Sequence, residues 1–241
     1  MKKKIIEFLP FAVMVLFSII TVIVYSLTFD PFDPVRILET CAAPLIVIVI
    51  PVLNRIFKIR IPYVLNVVIA VFAVITIDFA SVLDFYDKIP YLDKYIHAVF
   101  GIICSFCVAI FLLYGCGKEM KGWCFFIMVM LGVLGVAAIW EIIEYIMHAI
   151  IGMDTQRWMP DFGAVGDMTV GEFFKTYNPL WDTMWDIIVA VFGVIVFYVL
   201  VLIDKLCGYK VCKNVWAQVS YRGAKNGKVG DNDVAANKTD I

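Results

Sequence analysis

The sequence predicts an all-α fold, a polytopic membrane helix bundle with six transmembrane helices, and three observations carry that expectation. Of 241 residues, 63% are hydrophobic and 17% charged, against roughly 45–50% and about 25% in soluble domains. Six stretches, near 5–27, 37–54, 62–83, 94–115, 123–150 and 183–204, approach the ~20 apolar residues that a bilayer core about 30 Å thick asks of a helix. These stretches are continuously apolar instead of alternating, and a lone strand cannot satisfy its backbone in lipid, so spanning β-strands are excluded.

The first span follows Met1-Lys2-Lys3-Lys4. Its apolar run is too long for the core of a signal peptide and no small-x-small cleavage site follows before Asp30, so it reads as a retained helix. Counting Lys and Arg on alternate sides of the six spans gives fifteen on the side of both termini and five on the other. The positive-inside rule then places both termini of a multi-pass membrane protein in the cytoplasm, N-in and C-in. The net charge of −1 supplies no basic field for nucleic acid. Most of the seven cysteines fall inside a span or on the reduced side, so no disulfide framework is expected. Cys104-Ser-Phe-Cys107 has the spacing of half a zinc site but lacks a second pair, and small core residues are the better reading.

Domain organisation follows from composition. Residues 1–208 read as the six-span domain, and residues 209–241, polar and rich in Gly, Asn and Lys, as a largely disordered cytoplasmic tail. The connection 151–182 carries Trp158, Phe162, Phe173, Phe174, Tyr177 and Trp181. It reads either as an interfacial aromatic belt or as a lid over the outer face.

Acidic residues and histidine are expensive at membrane depth, so their placement is the main functional signal. The fourth span begins with Asp93-Lys-Tyr-Ile-His97, the fifth ends with Glu141-Ile-Ile-Glu144-Tyr-Ile-Met-His148, and the sixth begins with Asp182-Thr-Met-Trp185-Asp186. Offsets of three, four and seven put each set on one helical face, and the ~1.5 Å rise per residue brings all three to one layer near the outer surface. Five carboxylates there, with Lys94 the only nearby lysine, would cost on the order of 15 kcal/mol at about 2.5–3.5 kcal/mol each. A cation or shared protons are therefore expected. Asp93, His97, Glu141 and Asp186 are the candidate ligands for a divalent metal ion, Zn, Mn, Mg or Fe. Glu144 and Asp182 are the candidate catalytic proton carriers. Asp93 and Asp182 also stand where helix N-caps occur. His148 is as readily an interfacial residue, and Asp78 and Glu39 are at best supporting groups behind the ligands.

Three ordered blocks, Asp93-Lys-Tyr-Ile-His97-Ala-Val-Phe-Gly101, Trp140-Glu141-Ile-Ile-Glu144, and Gly166-Asp167 followed by Trp181-Asp182-Thr-Met-Trp185-Asp186, resemble the YjdF-type bacterial inner-membrane proteins, which are small multi-span proteins without an assigned activity. The resemblance covers about half the chain and implies that Asp93, His97, Glu141, Glu144, Asp182 and Asp186 are the family's polar positions. In this chain an insertion separates Asp167 from Asp182, whereas the family holds the two nearly together. A more distant similarity is to VanZ-like proteins associated with glycopeptide resistance.

Several chemistries are excluded. No Gly-x-Ser-x-Gly elbow and no His-Glu-x-x-His helix is present, and two histidines cannot make a three-histidine zinc site. The carboxylate and histidine set leads to a first hypothesis, a metal-dependent hydrolase acting on a membrane lipid or envelope-derived substrate. The alternatives are an ion- or proton-coupled transporter and a non-catalytic envelope sensor or resistance module.

Overall fold

A computed structural model describes residues 8–29, 33–56, 61–116, 120–151, 168–169, 171–172 and 179–208. Among these, α1 (Leu9–Thr28), α2 (Pro34–Ile56), α3 (Tyr63–Ala73, continuing as a π-helix over Val74–Val82), the short α4 (Phe85–Lys88), α5 (Leu92–Cys116), α6 (Gly122–Ile151) and α7 (Pro179–Leu206) follow in order. Six of the described helices are long and apolar enough to cross a membrane, and each lies within a few residues of an expected span. No strand occurs among the described residues. The expected tail 209–241 and most of the connection 151–182, Asp167 included, lie outside the described residues. Large apolar side chains such as Leu16, Ile23, Leu131, Ile139 and Ile195 are exposed, as lipid-facing positions are and as water-facing ones rarely are in such numbers.

The chain divides into two compact units, one holding α1, α2 and α3 as far as Asp78 and one running from Phe79 through α4–α7. In the first, α1 begins at a proline, whose fixed φ and missing N–H suit a first turn. It buries Met14, Ser18, Thr21 and Tyr25 along one face. Met14 packs with Ala43, Val47, Ala70 and Ala73 of α2 and α3. Helix α2 carries Pro44 and Pro51 in its interior, which a spanning helix tolerates because its neighbours satisfy the freed carbonyls. The turn from α2 to α3 is tied by Ile61 N, which donates to Asn54 Oδ1 at 2.8 Å.

In the second unit α5, α6 and α7 pack on one another, and α7 lies closest to α5. Glycine makes that approach. A Cβ on Gly101 would stand 2.0 Å from the Ala190 carbonyl oxygen, and one on Gly193 2.5 Å from that of Ala98. The two helices therefore meet backbone to backbone, as small residues permit within membranes. Before α5 the chain turns through two residues of positive φ, Asp84 (54°) and Tyr91 (59°). Aspartate tolerates that region, but a bulky tyrosine there is strained. Helix α7 ends at Gly208 with φ of 94°, a left-handed glycine stop.

Candidate functional site

Gly101 of α5 faces Ala190 of α7, and Gly193 of α7 faces Ala98 and Gly101; toward the start of each helix the same faces continue through His97 and Lys94 on α5 and through Asp186 and Asp182 on α7. The close backbone approach thus brings two charged faces together at the end where α5 and α7 begin and α6 ends. Asp93 and Asp182 both fall within the first turn of their helices, inside the helix and not at the N-cap position that the sequence also allowed.

Lys94 stands at the centre. Its ammonium donates to Asp93 Oδ2 at 3.0 Å, to Asp186 Oδ1 at 2.7 Å and to Asp182 Oδ1. The chain itself supplies part of the neutralising charge that the sequence calls for, because one ammonium serves three of the carboxylates. The sequence places Lys94 near the five carboxylates but not its bridge to α7, which the four-carbon stem makes possible. That bridging role is what sequence reasoning missed, and the position of Lys94 one residue into the Asp-Lys-x-x-His block was the available signal.

His97 is buried next to this group. Its Nε2 lies 3.7 Å from Asp93 Oδ1 and 3.9 Å from Asp186 Oδ1, and its Nδ1 lies 3.9 Å from Glu141 Oε1. These separations are beyond hydrogen-bond length. Side-chain exposure falls from 24% at Lys94 to 7% at His97, 5% at Glu141 and 1% at Asp186, so the group deepens from the helix starts inward. Asp186 Oδ2 and both Glu141 oxygens complete no hydrogen bond, although the Thr183 side chain stands beside Glu141.

Asp93, His97 and Asp186 each offer one ligand atom, and the three atoms lie within 4.8 Å of one another. A tetrahedral ion with bonds of about 2.0–2.1 Å holds its donors ~3.3 Å apart, so separations of up to 4.8 Å would contract by as much as about 1.5 Å to close on a metal. The set of two carboxylates and an imidazole suits a divalent first-row metal. Glu141, expected as a fourth ligand, is not in this trio. It faces the opposite edge of the imidazole, where a carboxylate orients a ligating histidine.

The two residues expected to carry protons are not members of the trio. Asp182 is held by Lys94. Glu144 is half-buried and accepts from Trp140 Nε1 of its own helix at 2.7 Å. His148 lies a further turn along α6 and is half-buried. Asp78 neighbours Thr21 of α1 and belongs to the other unit. Trp181 and Trp185 pack edge to face with ring centres 5.6 Å apart and are exposed, as residues of an interfacial belt are. Cys41, Cys104, Cys107, Cys124 and Cys207 are free.

Within the connection to α7, Thr169 and Glu172 form a capping box that the sequence reading passed over. Thr169 N and Oγ1 donate to Glu172 Oε2 at 3.0 and 2.7 Å, and Glu172 N donates back to Thr169 Oγ1 at 3.3 Å. The Thr-x-x-Glu spacing is the signal that identifies it. The bonds from the Thr169 hydroxyl and backbone hold the Glu172 carboxyl below its ordinary value.

No curated protein and no solved structure matches the chain. A family model described as predicted membrane protein, DUF2238, matches residues 11–205. That span takes in the six long helices and every residue of the site, and the chain belongs to this family of membrane proteins.

Proposed function

We propose that the protein is a multi-pass bacterial inner-membrane metalloprotein of the YjdF type, with both termini in the cytoplasm and its site near the outer surface. In this reading Asp93, His97 and Asp186 bind a divalent ion, Glu141 orients His97, and Lys94 with Asp182 balances charge beside it. The observation that carries the proposal is the converging buried trio, in surroundings where Asp93, Asp182, Asp186 and Glu141 exceed the one ammonium among them. Uncompensated charge at this depth is costly, and a bound cation offsets it.

The reaction class such a site serves is hydrolysis of a membrane lipid or envelope-derived substrate. The ion would supply an acidified water, and Asp182 or Glu144 would take its proton. Residues 209–241 form a cytoplasmic tail in this reading.

Metal content of the purified protein, measured after exposure to zinc, manganese, magnesium or iron salts and dialysis, tests the binding step. About one equivalent in the wild type and little in His97→Ala or Asp186→Asn supports it. Negligible metal in all three rejects it. Ion-coupled transport is the competing reading, favoured by the lysine that already sits among the carboxylates as a resident cation. Cation-dependent uptake into proteoliposomes that disappears in Glu144→Gln would replace the hydrolase with a transporter.

A further inference from the structure

Helices α1–α3 contain a carboxylate that the site in α5–α7 does not use. Asp78 is 0% exposed and sits within the π-helical stretch Val74–Val82. Neither of its oxygens completes a hydrogen bond, and the Thr21 side chain of α1 stands beside it. Thr21 lies on the buried face of α1 with Ser18 and Tyr25. Ser18 Oγ, one turn away, is also buried without a hydrogen bond. A buried carboxylate in an apolar setting is paired, neutralised or bound to a cation, because an isolated charge there is prohibitively costly.

Among the described residues, the titratable groups of α1 and α2 toward this end are Tyr25, Asp33, Arg36, Glu39 and Cys41. The Tyr25 hydroxyl accepts from Asp33 N at 3.3 Å, Cys41 is exposed, and among the described residues the influences on the Asp78 carboxyl are burial and the Thr21 side chain. The π-helical backbone adds to the case, since such segments displace carbonyls from the regular ladder and are frequent at functional sites.

We propose that Asp78, with the Thr21 hydroxyl, holds one exchangeable cation of unit charge between α1 and α3. Oxygen donors of this type take a proton or a hard alkali ion such as sodium. The site stands independently of the trio in α5–α7.

The test is labelling by a lipid-soluble carbodiimide of the full chain in phosphatidylcholine and phosphatidylglycerol vesicles, with Asp78 modification read by peptide mass spectrometry. The reagent adds to a protonated carboxyl group: the acid O–H adds across one C=N bond, and the adduct rearranges to an N-acylurea with no leaving group. A proton site gives labelling that falls about tenfold per pH unit above its midpoint and is the same in sodium chloride and choline chloride. An alkali-ion site gives labelling that falls about tenfold for each tenfold rise in sodium beyond half-saturation and is restored in choline. Either result supports the proposal and identifies the ion. No labelling of Asp78 in sodium-free, mildly acidic buffer, or labelling indifferent to both pH and sodium, overturns it. Thr21→Val, which keeps the carboxylate, shifts the midpoint or the half-saturating sodium concentration if the hydroxyl is a partner, and an unchanged midpoint removes Thr21 from the site.

Discussion

Helices α1–α3 bury Ser18, Thr21, Thr40 and Asn66 with the single carboxylate of Asp78, whereas α5–α7 bury His97, Glu141 and Asp186 around the ammonium of Lys94. Where hydroxyls in the first unit bond, they often bond their own helix. Thr40 Oγ1 donates to Arg36 O at 3.1 Å, and Thr76 Oγ1 to Phe72 O at 3.0 Å. Such bonds satisfy a polar group without orienting one helix against another. In the second unit the bonds cross from α5 to α7, so satisfying the charges and setting the helix register are the same event. A charge at membrane depth is costly only until its partner arrives, and that is why the ionic layer sits above the glycine crossing that brings the partner close.

Lys94→Met attacks this contrast most directly. It strands Asp186, whose side chain is 1% exposed, and breaking a buried pair in this way costs about 3–5 kcal/mol. Thermal unfolding in detergent should show a large loss, and adding Asp186→Asn should restore part of it. Equal stability of the single and double variants would mean that the pair contributes nothing to α5–α7.

The glycine crossing comes next. Gly101→Leu forces a side chain into the Ala190 backbone, where even a Cβ would lie 2.0 Å from the carbonyl oxygen, and overpacking of this kind costs about 1–3 kcal/mol. Gly135→Ala on α6, where a Cβ meets nothing within 4 Å, should instead be neutral or stabilising by up to about 1 kcal/mol through helix propensity. If the two variants melt together, the backbone approach of α5 and α7 is wrong.

Trp140→Phe removes the donor to Glu144 and should cost about 1 kcal/mol, measurable as a small shift in the unfolding midpoint. The smallest effect belongs to the first unit. Thr40→Val loses only a bond to its own helix and should change stability by less than about 1 kcal/mol. A loss as large as that of Trp140→Phe would show that Thr40 also reaches across to another helix.

The six spans were legible in the sequence because each is a local property of about 20 consecutive residues, read from length and apolar content. The layer of Asp93, His97, Glu141, Glu144, Asp182 and Asp186 was legible too, since helical rise and spacing place side chains by depth and face within a single helix. Azimuth between helices was not. Nothing in the spacing said that Lys94 would reach Asp182 and Asp186 on α7, that Glu141 would stand on the far edge of the imidazole, or that Asp78 would neighbour Thr21 of α1. The Thr169 and Glu172 box was readable from four residues and was missed because the connection was read for its aromatics.

The amino-acid order alone therefore determined how many helices cross, which of their ends carry charge and how deep each polar group lies, because these are consequences of composition and a fixed rise per residue. Which carboxylate meets the ammonium and which meets the imidazole was decided only when Gly101 and Gly193 let two backbones touch. Contact between helices depends on rotation and closest approach, quantities set by packing atoms that are distant in the chain.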